Sequence, residues 1–469
     1  MVRVWGMSRV HFWDEAVYLQ NAEVICCGKA NYSELDSRPP LLSLIIAAVF
    51  RLWHSVYAAD VVAALLNAAG PALLYICGRR IVGKAGAAIA ALLMAFTPFF
   101  VGVFPVGFDS DNTGNSLLTD APALTMILLA FWALLRALER EIAFRFACAG
   151  FLLGLTVLMR FASLSTAGVL ALLVFAGTRR WRAAIATALG FLFSIVPYLC
   201  WSRVHYDGFL ETFRRGWMYY QGARESPLFL FRNFGIIFSW ITLAGLVLWV
   251  YGWVREWRTP DQQNGSAIAG LPQRRLVPFL WVWTFALLAF FTLMPHQEPR
   301  YAMPLSIPLF LLAGSGLSTL LDFRTPVAKF VGVTFLLVAL AYSFYPVLQV
   351  FQQPFISRDA SEEMEVAEYL DRNLPQGTLL YSNFNYPLFG YYSNLPLREL
   401  PESGAPLYSA LEHLPQDGVL IAYSKPEIHP YPSREWLAAH PEFQLWHEFP
   451  SIALYRYHKT QEVEGSSRP

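Results

Sequence analysis

Long apolar stretches alternate with short polar loops along the first three quarters of this 469-residue chain. A helix needs about 20 mainly apolar residues to cross the hydrocarbon core of a bilayer. The pattern therefore predicts a mainly α protein, a polytopic transmembrane bundle of about ten spans. The predicted spans lie near 58–78, 85–103, 116–137, 146–159 with 164–176, 183–201, 233–251, 276–294, 304–321 and 327–349.

The stretch 146–176 is interrupted by Arg160. We interpret it as two shorter helices that break at one membrane surface; the alternative, one long helix with a buried arginine, would move every later loop to the opposite side. Basic residues are concentrated in cytoplasmic loops of membrane proteins. Under the two-helix interpretation all the strongly basic loops fall on one side, predicted to be cytoplasmic: 79–84, 136–145, 177–182, 252–275 and 322–329.

Two regions differ from the spans. Residues 1–57 are predicted to form a first extracytoplasmic loop, in which 41–53 is too short to span and resembles an interfacial amphipathic helix. Residues 58–349 form the transmembrane domain, and 350–469 a soluble extracytoplasmic α/β domain. In that domain we predict helices at 359–373 and 433–440, capped by Ser361 and Ser433, and strands at 377–382, 418–423, 443–448 and 452–457.

Composition supports this organisation. The chain is 55% hydrophobic and 15% charged, against roughly 25% charged in soluble domains. A net charge of +1 gives no field to attract nucleic acid. The five cysteines lack metal-ligand spacing, and the adjacent Cys26 and Cys27 are expected to stay unpaired, as apolar filler.

Acidic residues recur on the predicted outer side. Asp14 and Glu15 suit a base and its support, although acids also favour helix starts without a function. Asp120 begins an apolar run, and a carboxylate at the rim of a span needs a partner or a role. Asp109 and Asp111 form a D-x-D pattern that can hold a divalent cation, or simply a polar turn.

Basic residues recur on the same side. Arg38, Arg160 and Arg300 are candidates for phosphate binding, because a guanidinium pairs with phosphate in a bidentate way. The alternatives are a surface arginine at Arg38, a snorkelling one at Arg160 and a salt-bridged corner at Arg300. His296, Glu298 and Tyr301 flank Arg300, and His296 can act as a neutral donor or a proton shuttle. The loop 202–232 interleaves arginines with aromatics, as in a lipid head-group cover or an interfacial helix.

Taken in order, these motifs resemble the GT-C membrane glycosyltransferases, specifically glycosyltransferase family 39, which includes protein O-mannosyltransferases and the lipid A aminoarabinose transferase. The resemblance covers roughly residues 11–350. It is carried by Trp13-Asp14-Glu15-Ala-Val-Tyr18, Arg38-Pro39-Pro40-Leu41, Tyr75-Ile-Cys-Gly-Arg79-Arg80, Leu118-Thr119-Asp120-Ala-Pro122, Gly154-Leu-Thr-Val-Leu-Met-Arg160 and His296-Gln-Glu-Pro-Arg300-Tyr301.

The resemblance implies a donor, a base and a location. The donor would be a sugar carried on a polyprenyl phosphate. The sugar would be transferred, with inversion of the anomeric centre, to a lipid, glycan or protein. In a bacterium the reaction would take place at the outer face of the inner membrane. Asp14 would be the base, Glu15 its support and Asp120 the second acidic position, with Arg160 and Arg300 at the donor phosphate. His296, Glu298 and Tyr301 would line the same cavity. The family has a span before the Asp-Glu motif; only 13 residues precede Asp14 here, so we expect the true start to lie upstream.

Two other classes of function stay open. A polytopic transporter of an anionic or glycolipid solute would share the composition, although no repeat is visible and the charges cluster at one face. A non-catalytic envelope-assembly subunit would retain the fold without the reaction. No cofactor is required by the sequence, and Asp109 with Asp111 merely allows a divalent cation. The expected partners are the sugar donor, its acceptor and membrane lipids.

Overall fold

The structure, a computed structural model, describes residues 11, 13–29, 31–97, 100, 118–178, 180–218, 226, 228–258, 273–294, 297–322, 325–348 and 360–459. It divides the chain into two compact units. Among the described residues, the helical unit comprises those of 35–42 and 57–348, and the sheet unit comprises those of 11–34, 43–56 and 360–459. Segments of the predicted first loop thus belong to the same compact unit as the C-terminal residues.

The helices follow the apolar pattern, which confirms the mainly α fold class. Before the C-terminal region they are α1 Trp13–Cys27, α2 Pro40–Leu52, α3 Val56–Gly78, α4 Gly83–Phe96, α5 Asp120–Arg140, α6 Ala143–Met159, α7 Leu164–Thr178, α8 Trp181–Tyr206, α9 Glu211–Met218, α10 Phe229–Arg232, α11 Phe234–Phe238, α12 Trp240–Arg258, α13 Gln273–Leu293, α14 Ser306–Ser318 and α15 Pro326–Leu348. In the described part, five helices are long and apolar enough to cross a membrane. By composition this is an integral membrane protein.

Helix ends confirm some boundaries and correct others. Helix α6 ends at Met159 and α7 begins at Leu164, with Arg160 in an extended conformation between them, so the two-helix interpretation is confirmed and the single long helix is wrong. The span predicted at 233–251 is wrong at its start, because Ser239 adopts φ 69° and separates α11 from α12. Helix α8 continues to Tyr206, beyond the predicted end at 201.

Close helix packing depends on glycine at particular positions. A Cβ on Gly150 in α6 would lie 1.9 Å from the carbonyl oxygen of Thr187 in α8, and one on Gly190 would lie 1.9 Å from that of Ala147. Small residues let membrane helices approach until their backbones touch. The pair therefore fixes the distance between α6 and α8.

The C-terminal region forms a five-stranded mixed sheet, as an α/β domain should. Its strands, β1 Leu379–Ser382, β2 Leu397–Glu399, β3 Gly418–Tyr423, β4 Phe443–Glu448 and β5 Ile452–Tyr457, are ordered β2-β1-β3-β5-β4. Strand β1 pairs in parallel with β2 and β3, whereas β5 is antiparallel to β3 and β4. Its helices are α16 Glu362–Asn373, α17 Tyr386–Tyr392, α18 Gly404–Glu412 and α19 Arg434–Ala439.

The sheet is covered on both faces, which explains why β3 is apolar throughout. Val419 and Ile421 share a buried cluster with residues of α16 and α17, whereas Leu420 and Ala422 pack with α18 and α19. The predicted caps are confirmed, since the hydroxyls of Ser361 and Ser433 accept hydrogen bonds from the first turns of α16 and α19. The short elements α17, β2 and α18 were not predicted.

Candidate active site

The helical unit holds a buried ion pair where α5 begins and α6 ends. Asp120 occupies the first turn of α5 and pairs with the guanidinium of Arg160, the residue that terminates α6. Their side chains are 2% and 9% exposed. Arg160 is therefore buried and paired rather than snorkelling at a surface. A buried charge of this kind must be paired or it would not be tolerated.

The ring of Tyr301 contacts both Arg160 and a second arginine, Arg300. The Arg160 guanidinium carbon lies 5.0 Å from the centre of the Tyr301 ring, and that of Arg300 lies 5.7 Å from it. Both distances are within the range of cation–π attraction. The short helix Pro299–Leu305 provides Arg300 and Tyr301 together. The structure thus collects around one ring two arginines that are 140 positions apart in the sequence.

Glu298 holds this corner together. Its carboxylate pairs with the Arg300 guanidinium and accepts a hydrogen bond from the Tyr301 hydroxyl at 3.1 Å. The preceding Gln297, which the sequence analysis did not single out, is buried and donates to the carbonyl oxygens of Thr292 and Met294 at 3.2 and 3.3 Å. These hydrogen bonds satisfy carbonyl groups at the end of α13 that lack a partner within the helix. They also fix the position at which the segment with Glu298, Arg300 and Tyr301 begins. The salt-bridged corner, given above as the alternative for Arg300, is therefore present as the pair of Glu298 and Arg300.

Of the other four predicted site residues, the structure describes one, Arg38. Arg38 is partly buried in the turn before α2. Nearby in the chain, Asp36 pairs with Arg215 of α9 at 2.5 Å, so one arginine of the predicted 202–232 loop is already neutralised by a carboxylate. Asp109, Asp111 and His296 lie outside the described residues.

The sheet unit carries Asp14 and Glu15 in the first turn of α1. Glu15 is buried and its carboxylate lies 3.5 Å from Nδ1 of His11, whose side chain is also buried. The backbone N–H of His11 donates to the hydroxyl of Tyr392 at 2.9 Å. Asp14 is partly buried. Glu15 and His11 thereby secure the start of the helix.

Helix α1 is secured along its length to α17. Trp13 packs edge-on against Tyr386 with ring centres 5.6 Å apart. Burial raises the pKa of the Tyr392 hydroxyl; the His11 hydrogen bond lowers it, and the charges of Glu15 and Glu363 raise it. Tyr392 is therefore a neutral hydroxyl across the physiological range. His11 precedes Asp14 by three residues, but nothing in the sequence links it to a tyrosine 381 positions away.

Two side chains in the loop after α1 donate hydrogen bonds to backbone carbonyl oxygens in and just after α17. The Asn31 side chain donates to the carbonyl oxygens of Gly390, Ser393 and Leu395 at 2.8, 2.9 and 3.3 Å. Lys29 donates to the carbonyl of Tyr391 at 2.5 Å, and burial lowers its pKa against the opposing charges of Glu23 and Asp371. These contacts fix the position of α1 within the sheet unit.

One expectation about cysteine is wrong. Cys26 and Cys27 are joined by a disulfide, with Cα atoms 3.7 Å apart, at the end of α1. Adjacent cysteines were expected to stay unpaired because of the geometry that a disulfide requires.

Comparison with known proteins places the chain among membrane glycosyltransferase folds. Residues 37–201 match the dolichyl-phosphate-mannose-protein mannosyltransferase family. The structure is similar to ArnT from Cupriavidus metallidurans in the apo state, with a TM-score of 0.65 and 14% identity over 97% of this chain and 95% of that chain. The same protein bound to undecaprenyl phosphate gives a TM-score of 0.63 and 13% identity over the same shares of the two chains.

A more distant likeness is to the apo oligosaccharyltransferase of Archaeoglobus fulgidus, with a TM-score of 0.56 and 11% identity over 88% of this chain and 66% of that chain. Comparison of the sequence with curated proteins gave no match. At these identities the similarity establishes architecture, and it covers both the helical and the C-terminal parts of the chain. The protein therefore has the GT-C fold, that of the membrane glycosyltransferases which its motifs resemble.

Proposed function

We propose that this protein is a membrane glycosyltransferase that moves a sugar from a polyprenyl-phosphate donor to a lipid, glycan or protein acceptor. The observation that carries the proposal is that the guanidinium groups of Arg160 and Arg300 both lie within cation–π distance of the Tyr301 ring, in a largely buried corner. Two guanidinium groups held at one ring suit a ligand with more than one negative oxygen. The fold agrees, since a similar structure was obtained with undecaprenyl phosphate.

The arginines would act on the leaving group. As the bond between the anomeric carbon and the phosphate oxygen breaks, the phosphate takes the electron pair and gains negative charge. Preorganised cations at that position stabilise the transition state more than the ground state. Asp120, which is buried against Arg160, would hold that guanidinium in position. Arg38 is a further candidate for the phosphate.

Asp14 would act on the acceptor. Its carboxylate takes the proton of the acceptor hydroxyl or amine while the acceptor atom bonds to the anomeric carbon from the side opposite the phosphate, which inverts the configuration. Glu15 supports the base indirectly, because its contact with His11 secures the first turn of α1. We assign the reaction to the extracytoplasmic side from the distribution of basic loops, and to a bacterial plasma membrane by analogy with the family.

The test is a transfer assay with purified, reconstituted protein. A panel of polyprenyl-phosphate sugars is supplied with membrane extract as acceptor, and release of free polyprenyl phosphate is followed by mass spectrometry. Replacing Asp14 with Asn should reduce turnover by roughly 10²–10⁴-fold, the usual contribution of a general base.

The matched control is Asp207→Asn, since Asp207 is an exposed carboxylate in a left-handed conformation that Asn tolerates. Full turnover of the Asp14 variant would remove Asp14 from the mechanism. Absence of release from every donor by folded protein would contradict the proposal and favour transport or an assembly role.

A further inference from the structure

A cluster of three chemically different ligand groups lies at the far end of α1 from Asp14. Glu23, Cys27 and His54 place a carboxylate oxygen, a sulfur and an imidazole nitrogen within 4.8 Å of one another. All three belong to the sheet unit. No step of the proposed transfer reaction uses them.

The cluster is built by two helices. Glu23 and Cys27 are four residues apart in α1 and therefore share one face. His54 follows α2, and its ring lies against Phe50 with centres 5.0 Å apart. The imidazole Nε2 is 2.9 Å from one oxygen of the Glu23 carboxylate and 3.1 Å from the other. Two of the three groups are thus already in contact.

The ligand set indicates the class of metal. Thiolate, imidazole and carboxylate together are the ligands of zinc-like divalent ions, whereas calcium and magnesium prefer oxygen alone. Ligand atoms around tetrahedral zinc are roughly 3–4 Å apart, given metal–ligand distances of about 2.0–2.3 Å. The widest separation, at most 4.8 Å, must shrink by about 1–2 Å, and the imidazole and the carboxylate, 2.9 Å apart, must separate slightly. Cys27 and His54 are exposed, so rotation of their side chains can supply that movement.

The disulfide controls whether the sulfur is available. In the structure Cys27 is bonded to Cys26, and a disulfide sulfur is not a thiolate ligand. A dithiol reductant delivers two electrons and two protons to the disulfide and is itself oxidised to a disulfide. The Cys27 thiol then loses its proton on binding the metal.

We infer that Glu23, Cys27 and His54 form a site for one zinc-class divalent ion in the thiol form of the protein, and that the Cys26–Cys27 disulfide closes this site. Water completes the coordination. Because α1 carries two of these ligands as well as Asp14, metal binding would stabilise that helix in the thiol form.

The test uses the full-length protein in nanodiscs, with Cys148 and Cys200 replaced by Ala because both are exposed cysteines. The protein is reduced with a dithiol, which is then removed without air, and titrated with Co²⁺. We expect one equivalent to bind with a thiolate-to-cobalt charge-transfer band, and Zn²⁺ to displace it. After oxidation the band should not form.

Single variants distinguish the site from adventitious binding. Cys27→Ser should abolish the charge-transfer band, and Glu23→Gln or His54→Ala should weaken Zn²⁺ affinity about tenfold or more, since loss of even an outer partner has that effect. Cys26→Ser should bind the metal with or without oxidant. If the reduced protein binds no more metal than the Cys27→Ser variant, the inference is wrong, as it also is if Cys26→Ser stays sensitive to oxidant.

Discussion

The two units secure their charged and polar residues in different ways. In the helical unit the candidate site is held by side-chain pairs, Asp120 with Arg160 and Glu298 with Arg300. In the sheet unit the loop after α1 is held mainly by contacts to backbone groups, such as the three carbonyls that accept from Asn31 and the one that accepts from Lys29.

The difference follows from where unsatisfied groups occur. Helices that lie in a membrane satisfy nearly all of their own backbone groups, so only side chains remain to be paired between them. Around α17 the chain turns often and leaves carbonyls that need donors, and asparagine and lysine side chains supply them. Charge pairing therefore determines the geometry of one region, and backbone satisfaction determines that of the other.

The largest expected effect tests the charge pairing. Arg160→Ala leaves the Asp120 carboxylate buried without its arginine, which should lower the free energy of unfolding by about 3–5 kcal/mol. Thermal unfolding in nanodiscs measures this. Asp120→Asn combined with Arg160→Ala should regain much of the stability but not the binding of polyprenyl phosphate. Equal stability of Arg160→Ala and wild type would contradict the role given to the pair.

The next prediction tests whether the close contact between α6 and α8 supports the site around Arg160. Gly150→Ala places a Cβ 1.9 Å from the Thr187 carbonyl oxygen, so α6 and α8 must separate at a cost of about 1–3 kcal/mol. Gly168→Ala in α7 is the control, since nothing lies within 4 Å of its added Cβ; it should be neutral or stabilise by up to about 1 kcal/mol. Similar melting temperatures for the two variants would show that this contact is not tight.

A comparable or smaller effect tests the sheet unit. Asn31→Ala removes the donor to three carbonyls and should cost about 1–3 kcal/mol, the usual penalty for a buried group left without a partner. Asn373→Ala, which removes one exposed hydrogen bond to Tyr369, is the matched control. Limited proteolysis within 28–34 reports local loosening. If both variants resist protease equally, hydrogen bonds to these backbone carbonyls do not determine the conformation of this region.

The smallest effect concerns pH. Hydrogen bonds from Arg214 and then Arg215 lower the pKa of Glu211 from 4.5 to about 2. Because the folded-state pKa is depressed, the stabilisation of α9 is fully present above pH 4.5 and is lost as the pH falls toward 2. Glu211→Gln should remove this dependence, whereas Glu368→Gln, in an exposed pair with Arg372, should not. Hydrogen exchange of 211–218 across that range measures the difference.

Much of the architecture was predictable because it follows from local periodicity. The interruption at Arg160 is visible in the sequence, since a charge within an apolar run is expensive unless the helix ends there. The serine caps before α16 and α19 were predicted from the same kind of local signal. The break at Ser239 and the helix α17 were missed, because both depend on packing partners that are distant in the chain.

The candidate site was predictable in its residues but not in their relations. Asp120, Arg160, Arg300 and Tyr301 were identified one by one, yet their meeting depends on the packing of three separate segments. Nothing in the sequence marked His11, Gln297 or Asn31 as structurally important, since a single polar residue is common at many positions without a special role. Their importance appears only with their partners.

The sequence by itself determined that this is an apolar helical protein with a small α/β region, because hydrophobic period and length are properties of neighbouring residues. It also gave the ordered motifs that resemble GT-C enzymes. Only the tertiary structure decided that Asp120 pairs with Arg160, that α1 packs on α17, and that Glu23, Cys27 and His54 meet. Those contacts join residues tens to hundreds of positions apart, and their energies exist only once the chain has folded.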